Sequence, residues 1–260
     1  INAINDKAGI IEAMAELAGS AYFQFYVGAD IMDSKTNIFQ LYQGGIGLGE
    51  KEYYLEDDEA TKNIREGYKA HIVKMFQLIG QDEKQATKSM EAVMEIETRL
   101  AKKSFNAVEQ RNPAANYHML TLDELKKQIP GFDWDAYINA VGVKGVTSLN
   151  VSQIEPVQEA VAIINELPMD KQKAYLQWKL IDSAASYLSD AFVAQNFEFY
   201  GKVMSGKKED QPRWKKAVST VNGVLGEAVG QMYVEKYFPA AAKERMVQLV
   251  KNLQTALGER

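Results

Sequence analysis

The spacing of apolar residues along the chain changes period, and the change marks where strands give way to helices. After Asp6, whose side chain suits a helix N-cap, Ile10, Ile11, Met14 and Leu17 recur on one helical face. From Tyr22 to Val27, and again from Ile38 to Tyr42, apolar and polar residues alternate, with a polar turn at Asp33-Ser34-Lys35 between the runs. That alternation predicts an antiparallel β-hairpin near residues 22–42, the one firm β signal. Beyond Asp58 the helical period returns. Asp58 and Asp82 are placed to cap two long helices separated near Gly80, the second carrying Met90, Val93, Met94, Ile96 and Leu100. Thr121 and Glu124 form a capping box, in which each side chain satisfies an orphan backbone donor of the helix start. Pro130-Gly131 ends that short helix, and another runs through Trp134, Tyr137 and Ile138.

The run GVTSLNV reads as a short strand or as an extended loop. Further helices follow Pro156, extend from Asp170 towards Gly206 without an internal proline, and begin at Pro212; the last two meet at Phe238-Pro239. The expected fold class is mainly α: residues 1–260 form a single, mostly helical lobe with one short hairpin. No internal repeat of solenoid length supports a repeat architecture.

Composition narrows the function. With 260 residues, 46% hydrophobic and 25% charged, the chain can build a sizeable core. A net charge of −5 gives no electrostatic footprint for nucleic acid or an anionic membrane. Cysteine is absent, which excludes disulfides, thiolate metal sites and a cysteine nucleophile, although it fixes no compartment. No apolar run approaches the roughly 18 residues of a membrane span. The start, INAINDKAGIIEAM, has neither an initiator Met nor the basic-then-apolar pattern of a signal peptide. These features lead to the expectation of a piece excised from a longer protein.

Candidate chemistry is sparse. In GGIGLGEKEYY, residues 44–54, Gly44 and Gly49 stand five apart as in a phosphate-binding loop. Such a loop requires Lys and then Ser or Thr, but Glu50 and Lys51 occupy those places, and a carboxylate there repels phosphate. The two histidines, His71 and His118, lack the Glu and second His of H-E-x-x-H, so each reads as a solitary surface or hydrogen-bonding residue. Glu91 and Glu95 could pair as acid and base, yet Glu95 precedes Arg99 by four, the spacing of a surface ion pair. The residues 206–211, GKKEDQ, read as a solvated connector. Tyr187, Phe192, Phe197 and Tyr200 read as core aromatics. No catalytic residue and no metal ligand is assigned in this chain.

Four blocks carry a family resemblance. VGADIMDSKTNIFQLYQGGIGLGEKEYYL, residues 27–55, resembles a signature of the neprilysin and endothelin-converting-enzyme family of zinc metallopeptidases. Asp30, Asn37, Gln43, Gly47, Leu48, Tyr53 and Tyr54 fit its places, with Leu48-Gly49 where the family often has Leu-Pro. IETRLAKKSFNAVEQRNPAANYHMLTLDEL is similar to the family's next segment through Glu109, Arg111, Asn112, Tyr117, Met119 and Leu122, with His118 where Asn is usual. FDWDAYI resembles the Trp-containing helix that follows. RWKKAVSTVNGVLGEAVGQMYVEKYF matches through Arg213, Trp214, Ala228, Gly230, Tyr233, Val234 and Phe238. The lack of a cysteine near Lys216, common in animal members, suggests a bacterial member.

What the resemblance implies is a non-catalytic helical region that forms the wall or gate of an enclosed chamber. Zinc and a glutamate base in the intact enzyme would activate water against a peptide bond. The zinc ligands belong to sequence beyond residue 260, so this chain holds no cofactor of its own. Its implied partners are the missing C-terminal catalytic lobe and, in the intact enzyme, peptide substrates; its implied location is extracytoplasmic, in the periplasm or as a surface lipoprotein. The signature residues are expected to be structural, and an exposed apolar patch is expected where the catalytic lobe docks. The alternative is a stand-alone helical module that binds protein or peptide without peptidase activity. Continuation of the reading frame past Arg260 to H-E-x-x-H separates the two.

Overall fold

A computed structural model describes residues 1–259. Local chemistry sets several of the helix starts. Helix α1 (Lys7–Glu16) opens where the Asp6 carboxylate accepts the Gly9 N–H at 2.9 Å. Asp58 and Asp82 do the same for Thr61 and Gln85 at the starts of α3 (Glu59–Leu78) and α4 (Glu83–Lys103). The short α2 (Glu52–Leu55) precedes them. The Thr121–Glu124 capping box is formed at the start of α5 (Leu122–Gln128), and Asp133 caps α6 (Trp134–Ala140).

The hairpin forms as the alternation predicts. Strand β1 (Phe23–Ala29) pairs antiparallel with β2 (Asn37–Gln43), and Asp33 holds the turn by accepting from the Lys35 amide and the Thr36 hydroxyl. The hairpin is, however, part of a larger sheet. Strands β3 (Met119–Thr121) and β4 (Ser148–Val151) complete four strands in the order β1-β2-β4-β3. The doubtful GVTSLNV run supplies β4, which lies parallel to β2 with Phe39 opposite Leu149, and antiparallel to β3. Both strands are too short to show a period, and their partners lie far away in sequence, so pairing rather than propensity makes them strands.

Helices α7 (Ile154–Glu166) and α8 (Met169–Ala184) follow the sheet. The uninterrupted helix expected from Asp170 to Gly206 is absent. Pro168 takes the cap position and Asp170 falls in the first turn of α8. A 3₁₀ turn (Ala185–Tyr187), α9 (Asp190–Asn196) and a π-helical segment (Phe197–Val203) then follow in place of one long rod. The Tyr200 hydroxyl donates to both Asp182 oxygens, at 3.0 and 3.1 Å, folding the π segment back onto α8. Of the aromatics expected in the core, Tyr187 is exposed and Phe192 and Tyr200 lie at the margin, while the π segment buries Phe199 instead. Gly201 leaves room for the Phe197 ring, which would collide with any Cβ there.

Two hydrophobic cores result. One joins the sheet to α1, α5, α6 and α7, with Phe23 against Phe132, Trp134 and Tyr137 at ring separations of 5.3–5.7 Å. The other joins α3, α4, α8 and the π segment around Tyr68, Phe76, Trp178 and Phe199. Tertiary packing also redirects the charges of α4. Arg99 pairs with Glu159 (2.6 Å) and Glu166 (2.9 Å) on α7, and Glu95 with Lys171 on α8, in place of the expected Glu95–Arg99 pair.

The chain divides into two compact units, Ile1–Lys208 and Glu209–Arg260. The second holds α10 (Arg213–Tyr237), kinked at Leu225 (φ −119°, ψ 21°), and α11 (Ala240–Gly258). Trp214, Val218, Val221, Leu225 and Met232 recur along α10 at alternating four- and three-residue steps with Ala228 between the last two, and all five large side chains are exposed. Among the described residues no helix is long and apolar enough to cross a membrane. Residues 205–212 are all exposed between the units. Limited trypsin digestion is therefore expected to cut first after Lys207 or Lys208, read by intact mass; a first cut inside α3, α4 or α8 would contradict this division.

Candidate functional site

The family-signature residues converge on the loop that leaves β2. Gln43 fixes its start: the side-chain amide donates to the Phe105 carbonyl (2.9 Å) and accepts from the Phe105 N–H (2.7 Å), and the Gln43 N–H donates to Gln153. The chain then turns at Gly45, in the left-handed region at φ +81°. The Gly45 carbonyl accepts the Tyr175 hydroxyl at 2.7 Å, and the Lys179 ammonium lies 3.5 Å away. Further on, the Gly47 and Leu48 N–H groups both donate to the Tyr54 phenol oxygen at 3.0 Å.

Beneath this loop lies Glu97, fully buried on α4. Its carboxylate accepts the Tyr54 hydroxyl at 2.6 Å and the Tyr68 hydroxyl at 3.0 Å, with the Lys179 ammonium at 3.9 Å. The Trp178 indole N–H donates in turn to Tyr68 (3.0 Å). Burial pushes the Glu97 carboxyl above its ordinary range, opposed by Lys179 and the two phenols. Burial and the neighbouring carboxylate together raise Tyr54 and Tyr68 well above theirs. These phenols therefore stay protonated and act as donors. A side chain on Gly47 would overlap the Tyr68 hydroxyl, so only glycine fits there.

The other signature residues divide. Asp30 and Tyr117 meet, the phenol donating to the carboxylate at 3.1 Å. Tyr53 offers its carbonyl to Arg65 (3.1 Å), and Leu48 is buried. Asn37 is exposed at the start of β2. Arg111 is exposed on a 3₁₀ turn that Glu109 ties to Lys51 of the glycine loop at 3.4 Å. Trp214, Gly230 and Tyr233 lie on α10, in the other unit, where both aromatics are exposed. Glu97, Tyr68, Tyr175 and Lys179 were not among the sequence candidates. Only Glu97 left a signal, as a carboxylate interrupting the apolar stripe Val93, Ile96, Leu100.

The histidines are apart from this network and apart from each other. The His118 ring nitrogen Nδ1 lies 2.9 Å from the Val151 carbonyl. His71 is buried on α3 against Phe199 and Trp178, with Nδ1 3.1 Å from the Gln195 side-chain nitrogen. With Gln195 donating, the ring proton sits on Nε2, which has no partner and faces Asp182 at 4.0 Å. Burial lowers the His71 pKa to about 4. Among the described residues no group of three or more His, Asp or Glu is arranged to hold a metal ion. Glu97 is sealed from solvent, and its oxygens are taken up by the two phenols. The network is a frame for the glycine loop.

In architecture the chain is similar to part of known zinc metalloproteases. It superposes on zinc metalloprotease Zmp1 of Mycobacterium tuberculosis in complex with inhibitor with a TM-score of 0.90 at 31% identity, covering 98% of this chain and 39% of that one. The open state of the same enzyme gives 0.88 at 32% identity, covering 98% and 40%. PepO from Lactobacillus rhamnosis shares the fold with a TM-score of 0.73 at 20% identity, covering 96% and 40%. By sequence the chain is 28% identical to endothelin-converting enzyme 1 of Rattus norvegicus over 249 residues, which is 92% of this chain and 32% of that protein. The model of the N-terminal part of peptidase family M13 matches residues 1–260. The chain belongs to peptidase family M13, a family of zinc metallopeptidases, and spans about a third of the length of the curated relatives it matches.

Two outcomes test the frame. Tyr54→Phe deprives Glu97 of a donor and the two loop amides of their acceptor, and is expected to cost about 2–4 kcal/mol in urea unfolding. Gly47→Ala disturbs the same loop, so the double variant should depart from additivity by at least about 0.5 kcal/mol; independent effects would contradict a shared frame. For His71, the lowered pKa means that the unfolded chain binds a proton the native chain refuses between about pH 6.5 and 4. Its contribution to stability is thus lost as pH falls through that window. The stability gap between the native sequence and His71→Gln should shift against the native sequence by up to roughly 3 kcal/mol from pH 7 to 4. Comparing the two cancels the opposite contributions of Asp182 and Glu97, whose carboxyls burial raises.

Proposed function

We propose that residues 1–260 belong to one non-catalytic helical lobe of an M13 zinc metalloendopeptidase and form the wall or gate of an enclosed peptide chamber. The observation that carries this reading is the family match along residues 1–260 in a chain whose described residues offer no metal-ligand cluster. Zinc, the base and the substrate-binding strand would come from a partner lobe elsewhere in the polypeptide. The rigid frame around Glu97 supports the reading, because a wall that sorts substrates by size must hold its shape when peptides collide with it. The exposed apolar stripe of α10 supports it too: an unpaired seam of this length asks for a protein surface, and the catalytic lobe is the proposed occupant.

The intact protein would hydrolyse peptide bonds of small, unfolded chains, outside the cytoplasm, either free in the periplasm or anchored as a surface lipoprotein. The bacterial solved structures at 31–32% identity favour a bacterial member. Purified residues 1–260 are expected to leave a fluorogenic peptide uncleaved in the presence of zinc, whereas a polypeptide extended through an H-E-x-x-H segment cleaves it until a chelator is added. Chelator-sensitive hydrolysis by residues 1–260 alone would overturn the proposal.

A further inference from the structure

The two edges of the sheet are treated differently. The β3 edge is three residues long and runs directly into α5. The β1 edge is seven residues long, FQFYVGA, with no charge, no proline and no helix continuing it. Long, uncharged edge strands are usually blunted, because their free N–H and C=O groups recruit another strand.

The register says which groups are free. The Asp30 N–H donates to the Thr36 carbonyl at 2.8 Å, so Gly28 and Tyr26 also face β2 across the antiparallel ladder. Phe25, Val27 and Ala29 consequently direct their backbone groups outward. The loop at Gly19 approaches the Phe25 amide, since a Cβ on Gly19 would stand 3.4 Å from that nitrogen. Val27 and Ala29 keep their outward donors and acceptors open to water. Tyr26 (49%) on one face of the strand, Val27 (53%) on the other, and Ile31 (58%) and Met32 (74%) in the turn are all exposed.

We propose that the outer edge of β1 binds an extended peptide by strand addition, pairing with Val27 and Ala29 and placing its apolar side chains alternately beside Tyr26 on one face and Val27 on the other. Backbone groups that need partners select a strand over a helix. Length selects a peptide over a second copy. The segment from Phe25 to Ala29 spans only roughly 17 Å. Two such segments paired edge to edge bury far less than the roughly 1,200 Å² of a stable protein interface. The site is independent of any catalytic step, so it can be tested on this chain alone.

The probe is an acetylated, amidated hexapeptide of alternating valine and threonine, titrated into ¹⁵N-labelled protein. Amide shifts should cluster at Val27, Ala29 and Ile31, with slowed hydrogen exchange at Val27 and Ala29. The same peptide N-methylated at alternate residues keeps its side chains but not its donors, and should bind at least about tenfold more weakly, as should the native peptide to Val27→Pro, which removes an outward N–H without touching the ladder. Val27→Lys provides a second variant that retains the N–H, and its charged side chain should also weaken binding. Equal binding of the methylated peptide would reduce the site to an apolar patch and overturn the proposal. So would shifts confined to other residues, no binding at all, or concentration-dependent protection of Val27 and Ala29 without peptide, which would make a second copy the occupant.

Discussion

The buried carboxylate of Glu97 is the constraint around which the larger unit is arranged. A charge without water is costly unless its neighbours replace the lost hydration, and here two phenols and an ammonium do so. Those groups come from α2, α3 and α8, so meeting the needs of one side chain on α4 fixes the relation of four helices. The same phenol that donates to Glu97 accepts two amides of the glycine loop, and the ammonium beside Glu97 reaches the Gly45 carbonyl. Loop and helices are therefore locked by one chain of hydrogen bonds, and breaking any link leaves a buried group unpaired.

Packing around this network accounts for two of the loop's glycines. Gly45 supplies a left-handed turn, and at Gly47 the space of a Cβ already belongs to the Tyr68 hydroxyl. Tyr54, part of the same signature, closes the loop from below. Gln43 and Tyr54, at the two ends of this stretch, both hold backbone: Gln43 bonds the Phe105 amide and carbonyl, and Tyr54 accepts the Gly47 and Leu48 amides. In the first unit the β1 strand is left at an open edge of the sheet, and in the second unit α10 carries an exposed apolar stripe.

Legibility followed distance along the chain. The caps at Asp6, Asp58, Asp82 and Thr121 could be read directly because each side chain answers an amide three residues away. The β1–β2 hairpin was legible for the same reason: its partner strand lies one turn away. Strand β4 was not, since its parallel partner β2 lies more than a hundred residues earlier and only its pairing with β2 and β3 distinguishes it from a loop. Helix α8 was read too long because nothing local stops it; the Tyr200–Asp182 bond and the π segment bend the chain back. Glu97 could have been noticed as a carboxylate on an apolar stripe, but its partners could not.

The sequence by itself determined the mainly helical class, the hairpin and the family, because each rests on short-range periodicity, capping or a contiguous motif. Only the tertiary structure decided which polar residues are buried together, how Arg99 and Glu95 choose partners, and that β1 lies at an open edge. Those outcomes depend on side chains and strands that meet across long separations, where the free energy of burial, rather than local preference, selects the arrangement.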